Sequence, residues 1–291
     1  MKILLAVVSF QHLTGAEIYV YELGRELIRR GHAVTVATHV LGNPLEAHAR
    51  EAGIEPYQLL QMPSGLRFNV VHTSEPWPTQ WAIERYQGTP IMCSVHSQYP
   101  CEQPVLSAAI RHYVCIRPEV QHKIIAVDRI RPELTSVIYN PIDFERFHPY
   151  SMPTLPMKRI LFCGTMDSLR KRTIQELMGR AEAGEFELWL LGLKACTYDN
   201  YLERLPRNVS WFDQTWHVEN YIRQAHETAG ILLGRTTIEG WACSRPGWIF
   251  DTDLVGGIKS RQLFQPPADM DRFDSRKVVD QLEALYVSIG A

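Results

Sequence analysis

The residues best equipped for chemistry lie between Gly230 and Asp251, in the run GILLGRTTIEGWACSRPGWIFD. Ile231 to Leu233 are continuously apolar, as expected of a strand covered on both faces. Gly234 and Arg235 follow, then Thr236-Thr237 at a helix start, Glu239 within the first turns, and Pro246 at the stop. A helix that begins just past the carboxyl end of a strand offers free N–H groups and a positive dipole to an anion. A carboxylate one turn further in is placed to hold a sugar hydroxyl. The same pattern also describes an ordinary αβ unit with a surface glutamate, so it needs support from elsewhere. A cationic run, Arg170-Lys171-Arg172, follows Gly164-Thr165 at the end of another apolar segment. Taken alone it is either an anion site or a solvated charge run. Asp251-Thr252-Asp253 has the D-x-D spacing by which some transferases hold a metal and a diphosphate, although that pattern often arises by chance.

Composition narrows the function classes. A chain of 291 residues with 45% hydrophobic content implies one large or two medium globular domains. The net charge of −2 gives no electrostatic footprint for nucleic acid or an acidic membrane surface. The six cysteines, at 93, 101, 115, 163, 196 and 243, form no C-x-x-C pair and fall largely in apolar runs, which fits a reducing, cytoplasmic setting. The eleven histidines show no H-E-x-x-H pattern, so no dedicated metal site is expected. No apolar run approaches the length of a membrane span, and MKILLAVVSF reads as a first strand rather than a signal peptide. Peripheral work at a membrane, on a lipid-linked acceptor, stays open.

These residues need a scaffold, and the apolar runs supply one. Lys2 to Phe10 is a strand, Ala16 to Arg30 an amphipathic helix closed by Gly31, and Ala33 to Thr38 a second strand. Strands at Asn69–Thr73, Pro90–Val95, His112–Ile116 and Ser136–Tyr139 alternate with helices at Pro78–Tyr86 and Pro118–Ala126. The stretch from Asn140 to Lys158 carries four prolines and reads as a linker. A second series follows, with strands at Ile160–Cys163, Glu187–Leu191, Val209–Phe212 and Trp248–Phe250, helices at Thr173–Ala183 and His217–Ala225, and a last helix at about Asp274–Ile289. The expected fold class is therefore α/β, with two doubly wound Rossmann-like domains facing a central cleft. The expected boundaries are 1–150, 151–273, and a C-terminal helix over 274–291 that packs back on the first domain. Ligands of such folds bind beyond the carboxyl ends of the strands. Those ends are Gln11–Gly15, Ser74-Glu75 and His96-Ser97 in the first half, and Gly164–Lys171, Gly192–Lys194, Gln214 and Gly234–Glu239 in the second. The absence of G-x-G-x-x-G from the first turn argues against NAD or FAD.

Four local stretches stand in order along the chain: Thr14-Gly15-Ala16-Glu17 with the run from Arg30 to Val36, the run from Val137 to Asp143 with Phe147 and Pro149, the run from Ile160 to Thr165 followed by Arg170-Lys171, and the run from Thr237 to Pro246. Together they resemble the retaining, nucleotide-sugar-dependent glycosyltransferases of family 4, which have the GT-B architecture. The resemblance implies an acceptor-side first domain, a donor domain after it, and a nucleotide sugar, UDP- or GDP-linked, as co-substrate with no other cofactor. It implies that Glu239 meets the nucleotide ribose. Gly164, Thr165, Arg235, Thr236 and Thr237 are then donor-binding, and Arg170 or Lys171 stabilises the leaving diphosphate. His96 is implied to touch sugar or acceptor, and Thr14 and Gly15 to form a loop approaching phosphates. The acceptor, whether glycan, lipid-linked or small molecule, has no signature. The chain departs from the family pattern at Ile231, where the first glutamate of a Glu-x7-Glu pair is usual, and at Thr165, where an arginine is usual. A sugar-nucleotide epimerase and a non-catalytic nucleotide-sugar binding module share this architecture and remain alternatives.

Overall fold

The computed structural model describes residues 1–99, 102–195 and 200–290, with the Asn200 side chain excepted. Cys101 and Cys196 lie outside these. Contacts divide the chain into two compact units. The first comprises Met1–His12, Ala16–Pro141 and the chain from Arg272 onward. The second comprises Ile142–Asp271 with the short stretch Leu13–Gly15. The division falls ahead of the expected residue 150, because Ile142 and Phe147 are buried core residues rather than linker.

The first unit runs β1 (Lys2–Phe10), α1 (Gly15–Arg29), β2 (Ala33–Leu41), α2 (Leu45–Glu51), β3 (Glu55–Gln58), β4 (Val70–Ser74), α3 (Pro76–Arg85), β5 (Ile91–Val95), β6 (Ile110–Cys115), α4 (Pro118–Ala126) and β7 (Thr135–Val137). Its seven strands lie in the order β3-β2-β1-β4-β5-β6-β7, all parallel. The apolar run of β1 is what a sheet covered on both faces requires, and β4 and β5 are buried along their whole length although β4 carries His72, Thr73 and Ser74 and β5 carries Ser94. Helix α1 turns Tyr19, Val20, Leu23 and Leu27 onto the sheet and closes at Gly31, whose φ of 82° is left-handed.

The second unit runs β8 (Arg159–Cys163), α5 (Lys171–Glu182), β9 (Glu187–Leu191), β10 (Val209–Phe212), α6 (Val218–Arg223), β11 (Glu227–Ile231), α7 (Arg235–Ala242), β12 (Gly247–Thr252) and β13 (Ile258–Phe264). Its order is β10-β9-β8-β11-β12-β13, parallel except for β13, which pairs antiparallel to β12. Phe162, Leu188, Leu190 and Phe250 form the centre of its core. Helix α7 sits close on the sheet because Gly240 has no side chain: a Cβ there would come within 2.6 Å of the Thr228 hydroxyl oxygen.

Helix α8 (Ser275–Gly290) belongs to the first unit. Val278, Val279, Leu282 and Tyr286 are its buried stripe. Arg30 donates to Asp280 Oδ1 at 2.6 Å and to the Arg276 carbonyl at 2.6 Å, and it pairs with Glu283, which also meets His32. Among the described residues no helix is long and apolar enough to cross a membrane.

Among the elements that differ from the sequence expectation, three border the candidate residues. Strand β11 ends at Ile231, not Leu233. Leu232 takes a φ of 54° and its N–H bonds the Phe250 carbonyl at 2.8 Å, so the apolar run Ile231–Leu233 is half strand end and half turn. The strand itself is built from Glu227, Thr228 and small residues. Helix α3 starts at Pro76 rather than Pro78, and helix α5 at Lys171 rather than Thr173. The last places Lys171 inside a helix instead of in the preceding loop.

Candidate functional site

Each sheet reverses its strand order beside its first strand, between β1 and β4 in the first unit and between β8 and β11 in the second. Such a reversal opens a crevice at the carboxyl ends of the strands, where doubly wound folds bind ligands. The candidate residues gather at these two places, and each unit is described by itself.

In the second unit the turn after β8 is held by main-chain contacts. Gly164 has a φ of 157° and its N–H donates to the Leu191 carbonyl at 2.9 Å. A Cβ on Gly192, at φ 145°, would lie 2.0 Å from the Gly164 carbonyl oxygen, so glycine is obligatory where the two turns touch. Arg170 folds back over this turn. Its Nε would be 3.5 Å from a Cβ on Gly164, its backbone N–H donates to Asp167 Oδ1 at 3.0 Å, and its guanidinium pairs with the same carboxylate. Lys171 opens α5, with its ammonium 5.9 Å from the centre of the Tyr201 ring. The structure thus separates the positions of two residues that the sequence left interchangeable: Arg170 lies against the glycine turn, and Lys171 is turned to an aromatic face.

Helix α7 begins beside this turn. Its N-cap, Gly234, supplies no side-chain hydrogen bond to the first turn. Thr236 donates its hydroxyl to the Cys163 carbonyl at 3.0 Å, which ties the helix start to the end of β8. Arg235 and Glu239, one turn apart, form an ion pair at 2.7 Å with side-chain exposures of 9% and 7%. The Cys163 thiol is pushed up to about 12 by burial and by the Glu239 carboxylate beside it. Gly164, Arg170, Thr236, Arg235 and Glu239 therefore occupy one end of the β8–β11 crevice. Thr165 continues the turn at partial exposure. Thr237 does not join them. It is fully buried under α7, its methyl against Gly247 and its hydroxyl toward Gly230, so the expected donor contact from its side chain gives way to a core role. Asp253 of the D-x-D run accepts from the N–H groups of Val255 at 2.9 Å and Gly257 at 2.7 Å, bonds that lower its pKa and shape the β12–β13 turn.

In the first unit Glu17 is nearly buried and gathers the β1–α1 loop. Its Oε1 accepts from the Ser9 hydroxyl at 2.7 Å and from the N–H groups of Gln11 at 3.0 Å and His12 at 3.1 Å. Thr14 and Gly15, which group with the second unit, lead into α1, and a Cβ on Gly15 would meet nothing within 4 Å. His96 follows β5. Its ring stands edge-on to Tyr19 at 4.7 Å, burial lowers its pKa, and its Nε2 has no hydrogen-bond partner among the described residues. Behind it a buried chain connects Tyr19 to Ser94 at 3.2 Å, Ser94 to His72 at 2.6 Å, and His72 to Tyr286 of α8 at 2.7 Å. Burial holds His72 down to about 3, so it is a neutral link in that chain.

Sequence reasoning placed Glu75 past a strand end but gave it no role of its own. It stands at the end of β4 with φ 71° and ψ 151°, and its Oε2 accepts from the Val8 N–H at 2.8 Å. Burial, with Glu102 and Glu17 nearby, raises its carboxyl to about 7. The only signal in the sequence was its position past a strand end; its backbone conformation has no sequence mark.

Comparison with known proteins agrees with this architecture. Residues 13–146 match the family model Glycosyltransferase Family 4. Over nearly its whole length the chain is similar in fold to a glycosyltransferase from Rickettsia africae, with a TM-score of 0.73, 14% identity, and coverage of 99% of this chain and 98% of that one. It is similar to HepE of Anabaena, solved in complex with UDP-glucose, with a TM-score of 0.67, 14% identity, and coverage of 100% and 97%. It is also similar to AviGT4, a glycosyltransferase of avilamycin A biosynthesis, with a TM-score of 0.64, 15% identity, and coverage of 100% and 98%. No curated protein matches the sequence.

Proposed function

We propose that this chain, whose residues 13–146 match the Glycosyltransferase Family 4 model and whose fold is that of solved GT-B glycosyltransferases, transfers a sugar from a nucleoside-diphosphate donor, most simply a UDP-sugar, to an acceptor hydroxyl. The observation that carries the reading is the start of α7: an N-terminus without a side-chain cap, beside the Gly164 turn, with the Arg235–Glu239 pair one turn in. The N–H groups and dipole of such a terminus suit a diphosphate, and a buried carboxylate suits a ribose hydroxyl. HepE, which has this fold, was solved with UDP-glucose, and that supports a uridine donor.

The chemical demand is charge. As the bond from the anomeric carbon to the β-phosphate oxygen breaks, negative charge grows on the diphosphate. Fixed donors that are already oriented stabilise it without reorganising. On this reading Arg170, braced by Asp167, and the α7 terminus meet the diphosphate, with Lys171 at the start of α5 as a second cation. These groups supply the positive charge that a metal supplies in other transferases, so transfer is metal-independent and, as in the family the chain resembles, retaining. The four described cysteines, 93, 115, 163 and 243, are free thiols, which suits work in the reducing cytoplasm.

The test is thermal unfolding of the whole chain with UDP, UDP-glucose, GDP and GDP-mannose, with and without EDTA. Ligand at a hundredfold excess over Kd stabilises by about 2.7 kcal/mol, a shift of several degrees. One nucleotide is expected to raise Tm, EDTA to leave the rise unchanged, and Glu239→Ala to abolish it. A rise that EDTA removes overturns metal independence, and no rise with any nucleotide overturns the donor site.

A further inference from the structure

The β12–β13 hairpin of the second unit ends in a tip, Asp253–Gly257, whose packing is inverted. Leu254 and Val255 are exposed, while Gly256 and Gly257 are buried. A tip that turns apolar side chains to solvent and buries glycine is built for close main-chain contact. That contact is with the turn that carries the cations. A Cβ on Gly256, at φ 79°, would lie 2.4 Å from the Leu169 carbonyl oxygen, against 3.4 Å or more in an ordinary contact. A Cβ on Gly257 would lie 2.5 Å from Asp253 Oδ2 and 3.1 Å from Arg172 Nη1, so the carboxylate and the guanidinium flank one carbon. The tip thus grips the residue before Arg170 and the residue after Lys171.

Asp253 holds the tip in this shape. Its Oδ1 accepts from the N–H groups of Val255 at 2.9 Å and Gly257 at 2.7 Å, and its own N–H donates to the Gly257 carbonyl at 2.9 Å. A register shift between Asp251 and Thr252 breaks the β12–β13 ladder just ahead of it. The two N–H groups, with Arg172 and Lys259 nearby, hold the Asp253 carboxyl below the usual carboxylate range. Core packing does not call for this construction, since β13 is an edge strand exposed over most of its length.

We propose that Asp253 and Gly256 are positioning residues for the donor diphosphate: the hairpin tip seats the Leu169–Arg172 segment, and with it Arg170 and Lys171. The proposal rests on the reading of those two cations as partners of the diphosphate and adds what fixes them. Arg170 is the N-cap of α5 and Lys171 its first residue. Asp167 braces the Arg170 side chain, and the tip fixes the backbone on either side of the pair. Groups that stabilise charge because they are already oriented have to be held within about 0.5 Å. Alanine at 256 has to displace the Leu169 carbonyl or the tip by about 1 Å, the difference between 2.4 Å and an ordinary contact. Asp253 of the D-x-D run therefore acts through hydrogen bonds to its own turn rather than on a ligand.

Calorimetric titration of the whole chain with UDP and with UMP measures the gain in affinity that the second phosphate brings. Gly256→Ala and Asp253→Ala are each expected to cut that gain about tenfold, while affinity for UMP stays within about twofold of wild type. Asp253→Asn, whose side-chain oxygen can still accept both N–H groups, is expected to keep most of the gain. Asp253→Ala leaves the main-chain room at Gly256 untouched and carries the test if Gly256→Ala unfolds the chain. A gain unchanged in Asp253→Ala, an equal loss of affinity for UDP and UMP, or an Asp253→Asn chain as impaired as Asp253→Ala overturns the positioning role. A wild-type chain that binds UDP no tighter than UMP overturns the diphosphate reading itself, so the two failures are distinct.

Discussion

Arg245 is fully buried and its four hydrogen bonds all go to main-chain carbonyls: Tyr150 at 2.9 Å, Ser151 at 2.7 Å, Arg223 at 3.2 Å and Ile222 at 3.3 Å. One guanidinium therefore clamps the segment entering the second unit to the end of α6, from a position just after α7. Its planar fork suits this, since Nη1, Nη2 and Nε point to different carbonyls. Burial lowers its pKa, but an arginine stays protonated and the carbonyl dipoles carry the charge. Arg245→Met keeps most of the stem and removes every donor. A hydrogen bond to a charged group contributes roughly 1.5–3 kcal/mol, which would suggest more than 6 kcal/mol for four. The bonds share one group, and the variant also relieves the cost of burying a charge, which is several kcal/mol. The expected net loss is about 3–5 kcal/mol. Arg245→Lys, with three donors at a single point, should recover less than half. Urea unfolding followed by tryptophan fluorescence measures both, since Trp189, Trp211, Trp216, Trp241 and Trp248 all report on the second unit. A loss under about 1 kcal/mol for the methionine variant, or equal losses for both, would refute the clamp.

Two further outcomes follow from the geometry. Arg235→Ala leaves the nearly buried Glu239 carboxylate without its 2.7 Å ion pair and should destabilise the second unit by about 3 kcal/mol, as loss of one partner of a buried pair does. The UDP-induced rise in Tm should vanish with it, and a second change, Glu239→Gln, should restore part of the stability but not the UDP response. The acid limb of stability should reveal two opposing groups. His72 is held at about 3, below its ordinary 6.5, so its contribution is complete above pH 6.5 and falls by up to about 1.4 kcal/mol per pH unit as pH drops toward 3. Glu75 is held at about 7, above its ordinary 4.5, so its contribution is complete below pH 4.5 and is lost as pH rises toward 7. Between pH 4.5 and 6.5 the two slopes oppose. Removing the second group in Glu75→Gln should make the deficit in Tm relative to wild type grow steadily from pH 7 down to pH 4.5; a deficit that is constant with pH contradicts the assignment.

The sequence displayed what depends on burial and hid what depends on edges and turns. Strand β1 is buried on both faces and so is written as an apolar run, whereas β4 is equally buried but carries His72, Thr73 and Ser74. Strand β13 is an exposed edge strand with no such run, and strand β3, Glu55–Gln58, contains Pro56 and lies at the opposite kind of edge, so neither is legible. Helix α2 buries only Leu45 and Ala49 over seven residues, too few for a period to emerge. The same logic applies to the site. Arg235, Thr236 and Glu239 could be placed together at the start of one helix because a helix start after a strand has a pattern. Thr237 was assigned beside them, yet the third residue of that helix turns inward to the sheet. Glu75 could be placed past a strand end, but its φ angle and the company of Glu17 and Glu102, residues far from it along the chain, have no mark in the sequence.

Helix α8 is built from residues 275–290 yet completes the unit that begins at Met1, with Tyr286 closing the His72–Ser94–Tyr19 chain and Arg30 reaching to Asp280 and Glu283. On the ribosome, where domains fold as the chain emerges, the order of maturation is therefore inverted. The second unit can be whole while the first, though synthesised earlier, still waits with the face that α8 will cover, where His72 and Arg30 lie, open to solvent.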